Sequence, residues 1–405
     1  MWNPKRLSLC MIVKNEEQLL GQCLDSVKDV VDEIIIVDTG STDKTTAIGR
    51  EYSAKILTYG WDGNFSNARN YGLEQATGDW IIWLDADEQV EKKDRFKLRD
   101  LMYNQDFDIF SIRLINYYGE TVDENNVIEL GHPRIFKNGM GLRFENKIHE
   151  WLNTSSNGTR NGFADIKLHH YGYLDKIIKG KGKSSRNLAL LERELVEKDD
   201  TAWTHYYLAS EYYRLKQYKK AFEHVNISIK KFLDEGFIPP PSIMYRLKYL
   251  MLIETSSWDG AWPGINLAVS MYPDYVDLQY FMGIILYQKK MYKEAMKSFD
   301  KCIENGEDNP KYMVLRGAGT FMALYYKSLC FEKLGQINDA INALVKSLAM
   351  ANSYKPALEL LDQFQKEYPE QIKSCIKYYC QHEQDLINSL IVTCNKNKKQ
   401  NNKKM

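Results

Sequence analysis

Three apolar runs, each ending in acid or acid/amide residues, constrain the fold of this 405-residue chain more than any other feature. They are LSLCMIV at 7–13 before Lys14-Asn15-Glu16, EIIIV at 33–37 before Asp38, and WIIWL at 80–84 before Asp85-Ala86-Asp87-Glu88. Short apolar runs bounded by polar turns have the form of strands buried on both faces, as in a parallel sheet. Between the first two, Leu19, Leu20, Cys23, Leu24 and Val27 recur at helical spacing. Strand, helix and strand in that order make a right-handed βαβ unit. A short strand at 55–58 and a helix at 65–75 then lead to the third run. Ligands of open α/β sheets bind outside the carboxyl ends of the strands, and all three ends here bring acids to one edge.

Asp85 and Asp87 stand at i and i+2 where the third strand stops, and in extended chain such residues point the same way. Hard carboxylate oxygens suit Mg²⁺ or Mn²⁺, which carboxylates hold together with substrate phosphates and water. A metal–diphosphate site is the chemical reading; an Asp-x-Asp string alone also occurs in solvated acidic turns. A charged helix is expected at 92–103, followed by strands at 108–114, 130–136, 144–151 and 166–173. Four of the seven histidines, His132, His149, His169 and His170, fall there. Singly, each is more ordinarily a surface or core imidazole.

After residue 173 the alternation stops and an internal period begins. Ala261 and Ala295 are 34 positions apart, and Leu208-Ala209-x-x-Tyr212 with Ala221 and Lys327-Ser328-x-x-Phe331 with Ala340 repeat their surroundings. Small residues where two helices cross, with large aromatics between, predict four tetratricopeptide-type hairpins with longer loops near 236–241 and 306–310. The expected organisation is an α/β domain over 1–173, a linker helix over 174–200, helical repeats with capping helices over 201–394, and a disordered Lys/Asn-rich tail over 395–405. Lys+Arg and Asp+Glu balance at 54 each, which gives no electrostatic case for nucleic acid or a membrane surface. No run reaches the roughly 18 apolar residues of a membrane span. The seven cysteines lack zinc or disulfide spacing and read as reduced core thiols. A cytoplasmic location is the expectation.

The segments MIVKNEE at 11–17, VDTGSTDKT at 37–45, NFSNARNYG at 64–72 and WLDADE at 83–88, in that order, resemble the nucleotide-sugar half of a family-2 glycosyltransferase with the GT-A fold. With GHPRIF, KIHEW and the helical tail, the chain is also similar to a bacterial branch that includes the S-glycosyltransferases of bacteriocins such as sublancin. The resemblance implies an inverting, metal-dependent transfer from a UDP-sugar. It places Asp38 at the uracil ring, Glu16 at the nucleotide end of the first strand, Arg69 near the diphosphate and Asp85 near the ribose. The implied nucleotide-sugar contacts are Val13, Asn15, Glu16, Asp38, Ser41, Asn67, Arg69, Asp85 and Ala86. Asp87 is the implied metal ligand, for Mn²⁺ or Mg²⁺. His170 is the candidate for a second, since neutral imidazole accepts Mn²⁺. The family's Glu-Asp pair for the catalytic base has no counterpart after Asp87, so Glu150, with His149 beside it, is the expected substitute.

The implied partners are a UDP-sugar and a peptide or protein acceptor, the latter carried by Cys or Ser of a bacteriocin precursor, and a homo-oligomer stays open. Two alternatives stand beside this one: transfer to a cell-surface polysaccharide or glycolipid, and a peptide-binding scaffold with an inactive front domain. Three acids retained at strand ends weigh against the scaffold.

Overall fold

The structure is a computed structural model that describes residues 4–154, 158–177, 183–196 and 200–376. The expected tail at 395–405, part of the expected capping segment, and Cys380 and Cys394 lie outside the described residues. The chain divides into two compact units, Met1–Gln217 and Tyr218–Met405.

The first unit is a mixed sheet of GT-A-like form. Its strands are β1 (Leu7–Val13), β2 (Glu33–Asp38), β3 (Lys55–Thr58), β4 (Trp80–Trp83), β5 (Glu88–Val90), β6 (Ile109–Tyr117), β7 (Val127–Lys137) and β10 (Asn161–His170), and the short β8 (Phe144–Glu145) and β9 (Trp151–Leu152) pair separately. The order across the sheet is β3-β2-β1-β4-β7-β6-β10-β5. β1 pairs in parallel with β2, Val13 opposite Asp38, and with β4, Cys10 opposite Trp83. The expected acid-bearing ends therefore leave one edge together. β7 joins β4 antiparallel, which ends the parallel half.

Helix α1 (Leu20–Val27) buries Leu20, Cys23, Leu24 and Val27, the stripe that its spacing predicts. Helix α3 (Phe65–Leu73) follows α2 (Thr45–Glu51) and starts at Asn64, whose side chain accepts from the Asn67 amide. The charged helix expected over 92–103 is helical only at Lys97–Leu101 (α4), with turns on either side. Its one deeply buried residue, Leu98, gives it little apolar stripe to extend. Two further helices, α5 (Lys183–Val196) and α6 (Ala202–Arg214), belong to this unit. The compact unit thus extends beyond the expected border at 173 and includes Trp203, Tyr206, Tyr207 and Tyr212.

The second unit consists of helical hairpins. They run through α7 (Tyr218–Asp234), α8 (Ser242–Glu254), α9 (Trp258–Ala261), α10 (Ile265–Met271), α11 (Val276–Gln288), α12 (Tyr292–Asn305), α13 (Phe321–Lys333), α14 (Ile337–Met350), α15 (Lys355–Glu367) and α16 (Pro369–Ile376). Ala221, Ala261, Ala295 and Ala340, the period-marking residues, are all fully buried. Gly283 shows why size matters there: a Cβ on it would stand 2.5 Å from the Phe299 ring. Pro263 follows the short α9, and the second helix of that hairpin restarts as α10. Tyr245 and Tyr249 are core residues. Among the described residues no helix is long and apolar enough to cross a membrane.

Candidate functional site

A cleft of about 600 Å³ opens at the carboxyl ends of β1, β2 and β4, and ten of the expected site residues line it: Val13, Asn15, Glu16, Arg69, Asp85, Ala86, Asp87, His149, Glu150 and His170. Asp38 and Ser41 support its wall from behind. The Asp38 carboxylate accepts from the Ser41 amide at 3.0 Å, and the Ser41 hydroxyl accepts from the Asn15 amide at 3.0 Å. Asn15 itself, at φ 56°, takes a left-handed turn that the small polar Asn tolerates.

Asp85 and Asp87 do not leave β4 in extended chain. The Glu88 amide donates to the Asp85 carbonyl at 3.0 Å, so residues 85–88 form a turn and the chain reverses into β5. β5 then pairs antiparallel with β10, which sets Glu88 opposite His170. This register brings His170 Nε2 to 3.5 Å from Asp87 Oδ1. The other ring nitrogen, Nδ1, lies 2.7 Å from Asn116 Oδ1, a bond that orients the ring with Nε2 toward Asp87.

Gly172 keeps the space between the two groups clear. A Cβ there would fall 2.3 Å from Asp87 Oδ2 and 2.5 Å from His170 Nε2. A carboxylate and an imidazole converging on such a gap fit Mn²⁺ or Mg²⁺ as two protein ligands. Among the described residues no group of three or more His, Cys, Asp or Glu side chains is placed to hold a metal. A metal held there would need its remaining donors from outside the protein, as phosphate and water supply them in diphosphate sites.

Arg69 lines the cleft and is paired there with two acids. It is only 7% exposed, its Nη2 donates to Asp85 Oδ1 at 2.8 Å, and its Nε donates to Glu150 Oε1 at 2.7 Å. It ties the strand-end acid to the acid carried in from the 144–152 segment. Burial pushes the Asp85 carboxyl up, but the Arg69 and Arg134 guanidiniums outweigh it and hold the group below the usual carboxylate range. Arg134 pairs with the fully buried Glu88, and both guanidiniums lie over the Trp83 ring, at 3.6 Å for Arg134 and 4.4 Å for Arg69. Burial drives the Glu88 carboxyl up against the pull of Arg134.

Two more expected residues, Asn67 and His149, bond outside the cleft. Asn67 is not among the residues that line the cleft; its side chain donates to Asp62 Oδ2 at 2.8 Å and braces the 61–64 loop. His149 takes φ 51°, stacks on the Tyr207 ring with centroids 4.2 Å apart, and places Nε2 3.7 Å from Glu211 Oε1. Burial, reinforced by Arg214, lowers it to about 3 and keeps it neutral. His149 thus joins α6 to the wall of the cleft through the Tyr207 ring.

Sequence reasoning passed over Glu88, Arg134, Gly172, Tyr173, Arg186, Asn187 and Arg214. Arg134 and Gly172-Tyr173 lie within the strings GHPRIF and His-x-Gly-Tyr, so a signal existed for them. Nothing local marks Arg214. Cys10 and Cys23 are buried core thiols, raised by burial to about 12 for Cys10 and well above the usual range for Cys23.

Residues 8–160 match the model of glycosyl transferase family 2. A TPR repeat-containing protein of Synechococcus elongatus is 34% identical over 263 residues, covering 63% of this chain and 63% of that protein. The SPbeta prophage-derived glycosyltransferase SunS of Bacillus subtilis is 28% identical over 289 residues, covering 68% of this chain and 65% of that protein. The chain thus spans somewhat less than two thirds of the length of both relatives. The solved structure of YrrB, a TPR protein with an unusual peptide-binding site, is similar at a TM-score of 0.37 and 18% identity, covering 46% of this chain and 88% of that one.

Proposed function

We propose, from the premise that residues 8–160 form a family-2 glycosyltransferase domain, that this chain transfers a sugar from a UDP-sugar to a peptide or protein acceptor with inversion at the anomeric carbon. The observation that carries the reading is the gap between Asp87 and His170, kept open by Gly172 in the same cleft as Glu150. A bound Mn²⁺ or Mg²⁺ would add positive charge against the departing diphosphate.

The protein's own part is positional. Asp38, Ser41 and Asn15 hold the backbone wall against which the base and ribose lie. Asp85, fixed by Arg69, receives a ribose hydroxyl as hydrogen-bond acceptor. Glu150, held by the same arginine, takes the proton of the acceptor nucleophile on the side away from the leaving group. A Cys or Ser of a bacteriocin precursor is the acceptor that the motif resemblance suggests. A thiol, with an ordinary pKa near 8.5, asks less of Glu150 than an alcohol. A reaction in the cytoplasm is part of the same proposal.

The decisive measurement is UDP release from a panel of UDP-sugars, with and without Mn²⁺ and with and without a Cys- and Ser-containing peptide. Metal-dependent release from one sugar, accelerated by the peptide, is expected. A folded protein that releases no UDP from any donor is the scaffold instead. Stimulation by an oligosaccharide but not by peptide moves the acceptor to polysaccharide.

A further inference from the structure

We propose that Arg214, at the end of α6, is the catalytic cation that contacts the diphosphate of the donor; the inference rests on the nucleotide-sugar reading of the cleft. The leaving diphosphate gains negative charge as the glycosidic bond breaks, and preorganised positive groups aimed at that charge are worth much in a partly dehydrated site. Arg69 does not supply one, because two of its nitrogens are committed to Asp85 and Glu150 and the third, Nη1, is buried. Arg134 is only 3% exposed and committed to Glu88. The other cations lining the cleft, among the described residues, are Lys14, Arg186 and Arg214.

Geometry separates these three. Lys14 is exposed at the tip of β1, and Arg186 lies over the Phe65 ring at 5.3 Å. Arg214 lies over the Tyr173 ring at 5.3 Å, and the Tyr173 ring meets His170 edge-on with centroids 4.8 Å apart. His170 in turn faces Asp87. Two ring contacts thus separate Arg214 from the pair that would hold a metal, where the two phosphates of a donor must lie.

The guanidinium is also held in place. Its Nη1 donates to Glu211 Oε1 at 2.6 Å, and the Asn187 side chain donates to the same oxygen at 3.1 Å. Glu211 is fully buried, and His149 on Tyr207 closes over it. A guanidinium bonded through one nitrogen to a buried carboxylate keeps further N–H groups for phosphate oxygens, which it meets as a planar fork. Glu211 and Asn187 are positioning residues; they orient Arg214 without touching the donor.

The test uses the full chain and the binding of three probes in the presence of Mn²⁺: UDP, inorganic pyrophosphate and uridine. Arg214→Ala alone would strand the buried Glu211 carboxylate, so the informative variants are Arg214→Lys and the double variant Arg214→Ala/Glu211→Gln. The double variant is expected to bind UDP and pyrophosphate about tenfold or more weakly, from the loss of a charge-assisted bond, and uridine as the wild type does. UDP release from the active donor should fall on the order of 100-fold in kcat, with Arg214→Lys between the two. Unchanged UDP affinity in a folded double variant overturns the assignment while leaving the nucleotide-sugar reading standing, and so does equal weakening of uridine, which would mean that the cleft itself had shifted. A wild-type protein that binds neither UDP nor pyrophosphate defeats that reading, and the assignment with it.

Discussion

Arg69 in the sheet unit and Arg246 in the helical unit are both nearly buried and both paired with an aspartate, yet the two pairs are built differently. Arg246 Nε donates to Asp277 Oδ2 at 2.7 Å, and the Leu315 amide donates to Asp277 Oδ1 at 2.9 Å. Asp277 is fully buried, and burial pushes its carboxyl up. The Arg69–Asp85 pair instead faces a cleft, with the Asp85 side chain 33% exposed. A pair whose carboxylate is satisfied on both oxygens by the protein serves the fold. One that leaves a carboxylate open at a cleft is arranged for something that arrives.

That distinction can be broken most forcefully by removing each arginine. Arg246→Met strands Asp277 in the core and should cost about 3–5 kcal/mol, read by urea or thermal unfolding, with UDP affinity unchanged. Arg69→Met should cost less, because Asp85 keeps water on one side, yet it should abolish donor turnover by releasing Asp85 and Glu150 together. Normal turnover in a folded Arg69→Met protein would erase the difference between the two pairs.

Next in size is Asp87→Asn, which keeps the turn and removes a charged ligand. Donor turnover should drop on the order of 100-fold or more with little change in melting temperature, the reverse of Arg246→Met. Should both parameters stay at wild-type values, Asp87 has no part in the site.

Gly172→Ala tests the gap itself. The new methyl must displace Asp87 or His170, so Mn²⁺-dependent UDP binding should weaken by about tenfold, the scale of one lost strong contact, while binding of uridine alone persists. Equal affinities in wild type and variant would show that nothing needs to enter that space.

The smallest effect is a pH dependence. His149 sits at about 3 in the folded protein because burial disfavours its charged form, against about 6.5 in an unfolded chain. The unfolded state therefore binds the extra proton first, and stability is lost as pH falls from about 6.5 toward 3. His149→Asn, whose side chain tolerates the positive φ, should flatten the decline in melting temperature between pH 7.5 and 5.5. An unaltered slope would assign the acid sensitivity to other groups.

Much of this molecule was legible because its signals are local. The runs at 7–13, 33–37 and 80–84 are continuous, so their strands and the edge to which they deliver Asp38 and Asp85 follow from length and polarity alone. Ala221, Ala261, Ala295 and Ala340 mark helix crossings for the same kind of reason: only a small side chain fits there, whatever the partner. The likeness of four short motifs to a known family added the nucleotide-sugar reading and named Val13, Asn15, Glu16, Arg69, Asp85, Ala86 and Asp87 among the cleft's residues.

What the sequence by itself determined, then, is which residues form the strands, the hairpins and the acidic edge. Which charges neutralise one another was decided only by the tertiary structure. Asp87 meets His170 because β5 pairs with β10 in one particular register, and a single-residue slip would turn the imidazole to the other face of the sheet. Arg69 is held by Glu150, a residue brought to it by the 144–152 segment, and α6 joins the sheet unit through His149 stacked on Tyr207. Ion pairs and ring contacts depend on distances of a few ångströms between residues far apart in the chain, and no local pattern of polarity encodes them.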